Sequence, residues 1–498
     1  MAALYNKCLE VADYSLHYEY KHRGVEQLVA RRAHNPKVAG SSPVPTTKKK
    51  PVSPHENRLF SFGFQGTLMT ECTFRLIAKN SGRSSLPAPA FLFFLLLLLP
   101  LSLPSSLHAA DRSASFPAFA AEPLLTGIDR LDGSRCSELS GLRVGLITNE
   151  AAATGTGEPG YAMMLRHGVR LQYLMAPEHG FAVDVEAGRS AEGTILAGNL
   201  QVHSLYGSTR IPDAALLQQI DLLIFDLQDV GVRCYTYLST MKNAMQACSE
   251  TRTAFMVLDR PNPIAPLARG GFMLEPRQVS FVGAEDIPFI HAMTLGELAQ
   301  LIKARHFPDL NLHVISMQGW SRNRFGDEFP GFTFRSPSPN ISSVETAIVY
   351  PATVLLEATR ISEGRGTDAP FLQFGAPFID PERIAASLNQ ENLPGVRFFP
   401  VSFIPTTSKF KGKRCHGVRL SITNRREFNA FMTGVAILQT LHCHYPSEAG
   451  IDHHKAFFDR LAGTSRLREM IMSGASLEGI MSESRQNREG FLPALLYP

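Results

Sequence analysis

No HExxH zinc-protease signature, no GxSxG elbow and no Walker phosphate loop occurs in the 498 residues, so the usual short marks of metalloproteases, α/β-hydrolases and nucleotide hydrolases are missing. Cysteine is scarce too. Of the seven, five follow residue 110: Cys136, Cys234, Cys248, Cys415 and Cys443. They form no CxxC pair, and an odd count without ligand spacing predicts buried free thiols rather than a disulfide framework. No internal repeat is visible. The overall charge of +4 also proves misleading. Residues 1–110 hold 13 of the 49 Lys/Arg and 6 of the 45 Asp/Glu, so the remainder carries a net −3 and gives no case for nucleic acid.

What the sequence does have at its start is a secretion pattern. Residues 91–103, "FLFFLLLLLPLSL", are apolar, follow Arg75, Lys79 and Arg83, and precede the small-residue segment "SSLHAAD". That order predicts a signal peptide over residues 69–110, beginning at Met69 and cleaved near Ala109 or Ala110, with no stable membrane anchor afterwards. Extending the run back to Leu86 gives the rival reading of a membrane anchor, which Pro87, Pro89, Pro100 and Pro104 disfavour. Residues 1–68 are basic, Pro/Ser-rich in part and aperiodic, and read as a spurious or disordered extension. The expected localisation is therefore periplasmic or extracellular.

From residue 123 strand and helix signals alternate. "RVGLIT" (143–148), "LQYLM" (171–175), "DLLIFD" (221–226) and "AFMVLD" (254–259) suit strands buried on both faces of a parallel sheet. Leu238, Met241, Met245 and Cys248 recur at helical spacing between the last two. The pattern predicts an α/β fold: a Rossmann-like, doubly wound parallel-sheet domain over 123–290. A region at 291–375 connects it, contributing to the cleft, to a smaller C-terminal α+β domain at 376–498. There "VRFFPVSFI" and "HGVRLSIT" read as strands and "REFNAFMTGVAILQTL" as a helix, while "ETAIVYPATVLLEAT" reads as a helix kinked near Pro351.

Asn149, Glu178, His179, Asp226, Asp229, Arg233, Asp259, Arg260 and Asn262 all follow predicted strand ends, where open parallel sheets place their ligand crevice. "FDLQDVGVRCYTY" (225–237) combines carboxylates, an arginine and the flat faces of Tyr235 and Tyr237; a structural ion pair is the plainer alternative. "SEGRGT" (362–367) offers Glu363 and Arg365 between glycines. "GTGEPG" (155–160) matches a dinucleotide loop, yet its first glycine comes six residues after Asn149 and Pro159 interrupts it, so a surface loop is expected. The histidines of "LHCHYP" and "IDHH" lack a partner set, and no metal is expected.

Seven segments, "APEHGF", "FDLQDVGVRCYTY", "LDRPNPI", "SPSPNI", "YPATVLLEATRISEGRGT", "PVSFIPTTSKFKG" and "LLYP", occur in order across residues 123–498. Together they resemble the exo-acting β-N-acetylmuramidases, a bacterial family long described as a domain of unknown function. Two departures are "TNEAAAT" for a "TNQTG"-like turn and "EAT" for "EGT". The resemblance implies a cleft between the two domains that removes terminal N-acetylmuramic acid from peptidoglycan-derived muropeptides or from the N-acetylmuramyl-N-acetylglucosamine disaccharide, without a cofactor. Glycoside hydrolysis uses a carboxylic acid and usually a second carboxylate. Glu178 is the expected acid, with His179 orienting it or bonding the sugar. Asp229, Asp226 and Glu363, in that order, are candidates for the second carboxylate, and the substrate's own N-acetyl group is an alternative nucleophile. Arg233 and Arg365 are expected to grip the lactyl carboxylate. Asn149, Tyr235, Arg260, Asn262 and Asn340 complete the expected binding set. Two other classes stay open: a non-catalytic muropeptide-binding protein and an NAD(P)-dependent oxidoreductase.

Overall fold

In a computed structural model, the structure describes residues 122–189, 194–196 and 200–497, all within one compact unit, Ala110–Pro498. The proposed extension and signal peptide lie outside the described residues.

Apolar runs become strands where expected. β1 (Arg143–Ile147), β2 (Arg170–Ala176), β5 (Leu222–Phe225) and β6 (Ala254–Leu258) are parallel, joined at one edge by β7 (Leu312–Ile315) and at the other by β4 (Leu200–Ser204). A short β3 (Thr194–Leu196) runs antiparallel against β4. The order β3-β4-β2-β1-β5-β6-β7 starts in the middle and winds outward both ways, the doubly wound arrangement. A second, antiparallel sheet has the order β8-β10-β9, from β8 (Gln373–Ala376), β9 (Val396–Phe403) and β10 (Cys415–Ile422). Residues 291–375, read from the sequence as a connector, thus give a strand to each sheet.

The helix Tyr237–Thr251 buries Leu238, Met241, Met245 and Cys248, the stripe that its spacing predicted. Leu295–His306 is fixed at its start by a capping box, Thr294 with Glu297. Pro351 lies inside the helix Val344–Thr353, which tightens into the 3-10 turn Val354–Ala358. Proline cannot donate to the turn before it, and the change of winding follows directly after. The five cysteines are free thiols, all buried except Cys443. Among the described residues no helix is long and apolar enough to cross a membrane, and no three metal-ligating side chains cluster.

Candidate active site

The turn "APEHGF" is built by the end of β2. Pro177 stops the strand, and the Gly180 N–H donates back to the Pro177 carbonyl at 3.1 Å. His179, third in that turn, is driven to φ 76°, a left-handed conformation that costs a β-carbon residue about 1 kcal/mol or more. The bend turns Glu178 away from the sheet axis into a cavity of about 480 Å³.

Two donors fix the Glu178 carboxylate. The Gly188 N–H reaches Oε1 at 2.9 Å and the Thr236 hydroxyl reaches Oε2 at 2.7 Å. Thr236 is the N-cap of the 15-residue helix Tyr237–Thr251, so the carboxylate also faces the positive end of a helix dipole. The phenol of Tyr206 shares this wall: burial, with the neighbouring Glu178 charge, pushes it up to about 12. His179 does not orient Glu178. Its Nδ1 pairs with the Val185 carbonyl at 2.9 Å, and burial lowers its pKa, which favours a neutral ring presenting Nε2 as an acceptor.

A second carboxyl lines the same cavity, and the sequence reading passed over it. Glu357 sits in the 3-10 turn Val354–Ala358, where Arg365 Nη2 meets its Oε1 at 2.5 Å. Burial raises its pKa, opposed by the Arg365 charge and reinforced by Glu363. A glutamate inside the apolar run "IVYPATVLLEAT" was the available signal, since a charge in such a run needs a partner or a function. Tyr235, Asn340 and Arg365 line the cavity as expected, and the buried Tyr235 hydroxyl has no partner among the described residues. Thr236, within "FDLQDVGVRCYTY", also lines it, as do Tyr206, Arg210 and Phe281, which lie outside the seven segments.

Most of the other strand-end residues are corrections, because their polar atoms are consumed inside the protein. Asp226 and Arg260 form a buried two-pronged pair, Nε to Oδ1 at 2.6 Å and Nη2 to Oδ2 at 3.0 Å, and Arg260 also donates to the Ala153 carbonyl. Arg233 is fully buried and donates to the carbonyls of Phe272, Ile287, Leu461 and Ala462; burial lowers its pKa to about 10, opposed only weakly by the charges of Cys234 and Asp286. Asn149 donates to the Tyr237 hydroxyl and accepts from the Ala151 N–H. Asn262 donates to the Met293 carbonyl and accepts from the Ile264 N–H. Asp229 accepts from the Gly231 N–H at 2.7 Å through Oδ2 and lies 3.5 Å from His291; its Oδ1 has no partner among the described residues, but it is absent from the cavity wall. Glu363 is buried between Arg365 and Lys409, both at 3.1 Å, and lines an adjoining groove instead.

The "GTGEPG" segment is a loop. The helix Gly160–Arg166 begins well beyond β1, Gly160 packs against Asp226, and the space beside Gly155 holds only about 10 Å³. No pyrophosphate fits there.

Residues 144–345 match the family described as "Exo-beta-N-acetylmuramidase NamZ, N-terminal", and residues 348–494 match its C-terminal counterpart. The "Peptidoglycan beta-N-acetylmuramidase NamZ" of Bacillus subtilis (strain 168) is 42% identical over 368 residues, 74% of this chain and 88% of that protein. Two solved DUF1343 family structures from Bacteroides fragilis NCTC 9343 share the fold. One superposes with a TM-score of 0.68 at 32% identity, covering 76% of this chain and 99% of that one. The other gives 0.59 at 26%, covering 74% and 96%. Motif order and fold agree with these matches: the chain belongs to the NamZ family of exo-β-N-acetylmuramidases.

Proposed function

We propose that this protein is a glycoside hydrolase that releases N-acetylmuramic acid from the non-reducing end of peptidoglycan fragments, with Glu178 as proton donor to the leaving oxygen. The observation that carries the reading is a pair of carboxyl groups, Glu178 and Glu357, in the wall of one cavity and in unlike surroundings. Glu178 is held by a backbone N–H and a hydroxyl; Glu357 is held by a guanidinium. Glycosidases divide their work between two such groups. Glu357 replaces Asp229, Asp226 and Glu363 as the second carboxylate.

The cavity volume falls within the range of about 300–1,000 Å³ usual for small-ligand pockets. Past Asn340 and Arg365 it adjoins a groove lined by Glu186, Thr407 and Lys409, a path by which the rest of the glycan leaves the terminal sugar. Tyr235 and Asn340 supply polar contacts, and Phe281, Phe371 and Phe457 supply apolar wall. Export by residues 69–110 belongs to the same proposal, because it would bring the protein to its substrate.

Incubation with the N-acetylmuramyl-N-acetylglucosamine disaccharide, followed by chromatography, tests the reading. Hydrolysis gives free N-acetylmuramic acid and N-acetylglucosamine. Recovery of intact disaccharide that binds the protein identifies a muropeptide-binding protein instead.

A further inference from the structure

We propose that Arg210 selects the sugar: its guanidinium grips the lactyl carboxylate that distinguishes N-acetylmuramic acid from N-acetylglucosamine. This rests on the muramidase reading of the Glu178 cavity and adds the group that recognises the substrate's charge.

Three arginines line the cavity: Arg210, Arg365 and Arg460. The sequence favoured Arg233 and Arg365 for an anion, and the structure uses both elsewhere. Arg233 is spent on four main-chain carbonyls. Arg365 is neutralised twice, by Glu357 at 2.5 Å and Glu363 at 3.1 Å. Lys409, in the adjoining groove, is bound by Glu363 and two carbonyls. Among the described residues neither Arg210 nor Arg460 has a carboxylate within ion-pair distance.

Of these two, Arg210 is held in place by aromatic rings. Its guanidinium carbon lies 4.4 Å from the centre of the Phe281 ring and 5.3 Å from that of Tyr206, and the two rings are 5.8 Å apart. Stacking occupies the faces of a guanidinium and leaves its in-plane N–H fork free for a carboxylate. The backbone is pinned as well: the Arg210 carbonyl accepts from Asn243 Nδ2 at 2.9 Å, on the same helix whose N-cap Thr236 holds Glu178. Tyr206 lies between the two ends of this arrangement, against Glu178 on one side and Arg210 on the other. A sugar whose glycosidic oxygen meets Glu178 therefore shares its cavity with an aromatic-stacked cation, which an acidic substituent on the ring can reach.

The test uses two chromogenic β-glycosides, of N-acetylmuramic acid and of its lactyl methyl ester. A charge-assisted two-pronged contact is expected to make the wild-type kcat/KM roughly tenfold or more higher for the free acid. Arg210→Gln brings that ratio close to one. Arg210→Lys keeps part of it, as a charge without a fork. A wild-type ratio near one, an undiminished ratio in Arg210→Gln, or loss of the ratio in Arg460→Gln instead would each overturn the assignment while leaving the hydrolase intact. Failure of the wild-type protein to cleave either glycoside overturns the muramidase reading. Calorimetric binding of free N-acetylmuramic acid against N-acetylglucosamine, to wild type and Arg210→Gln, then decides Arg210 by itself.

Discussion

Arg233 Nη2 donates to the carbonyl of Ala462 at 2.6 Å, across 229 positions of sequence. Ala462 ends the helix Lys455–Ala462, so the cation meets the negative end of a helix dipole, and three further carbonyls complete its surroundings. Arg233→Met fills the space and strands those acceptors, which is expected to cost about 3 kcal/mol or more in urea unfolding. A loss below about 1 kcal/mol would mean that water takes over the arginine's bonds. Gly463 is tied to the same feature: it has φ 84°, and an added β-carbon would clash with Arg233 Nη2, so Gly463→Ala is expected to destabilise as well.

Glu178→Gln keeps shape and removes the proton. Release of N-acetylmuramic acid is expected to fall by about 10²- to 10⁴-fold with an unchanged unfolding midpoint, the usual contribution of a general acid. Activity within a few fold of wild type would remove Glu178 from the role.

Thr236→Val deletes the hydroxyl that holds Glu178 Oε2 and little else. A drop of about tenfold in kcat/KM is expected, in line with the worth of one hydrogen bond to a charged group, and Thr236→Ser should restore most of it. Equal losses in Val and Ser variants would point to packing instead.

Glu357→Gln tests the second carboxylate. Its kcat is expected to fall by about a hundredfold or more. Asp226→Asn is the contrast: it breaks a buried ion pair and should cost about 3–5 kcal/mol of stability. If Glu357→Gln retains near wild-type kcat, the second group is the substrate's own N-acetyl, as glycosidase chemistry permits.

Asp259 makes stability depend on pH. Burial pushes its carboxyl up to about 6 from 3.8, although Tyr497, Gly296 and Thr294 all donate to it. Between those values the folded protein holds the extra proton, so this contribution is present below about pH 4 and is lost as pH rises through about 6. Two pKa units correspond to about 3 kcal/mol. Urea titrations at pH 4 and pH 7 should show a smaller stability difference between the two pH values in Asp259→Asn than in wild type. An identical difference in both proteins would refute it.

Much of the architecture was legible because burial on both faces leaves a local trace. The runs at Arg143, Leu171, Leu222 and Ala254 are mostly apolar, and buried toward their C-terminal ends, because a covered parallel strand has no wet side. The same holds for the stripe from Leu238 to Cys248 and for the turn at Pro177, whose backbone chemistry is local. The edges were harder to read. β7 and β8 are short and pair with strands from distant chain, so propensity alone could not place them.

The sequence by itself determined the strand core, the turn that presents Glu178 and the order of segments that marks the family. Which polar residues meet solvent was decided only in three dimensions. Asp226, Arg233, Arg260 and Asn262 have the residue types of an active site, and each is held by a partner inside the protein: 34 positions away for Asp226 and Arg260, 229 for Arg233, 31 for Asn262. Arg210 lies in no motif, and Glu357 lies in a family segment that does not by itself mark it as a site residue; the cavity brings both to the wall that Glu178 shares. A polar side chain is structural when packing satisfies it and available when packing leaves it facing a cavity. That difference lies in contacts between distant segments, which residue type and spacing do not encode.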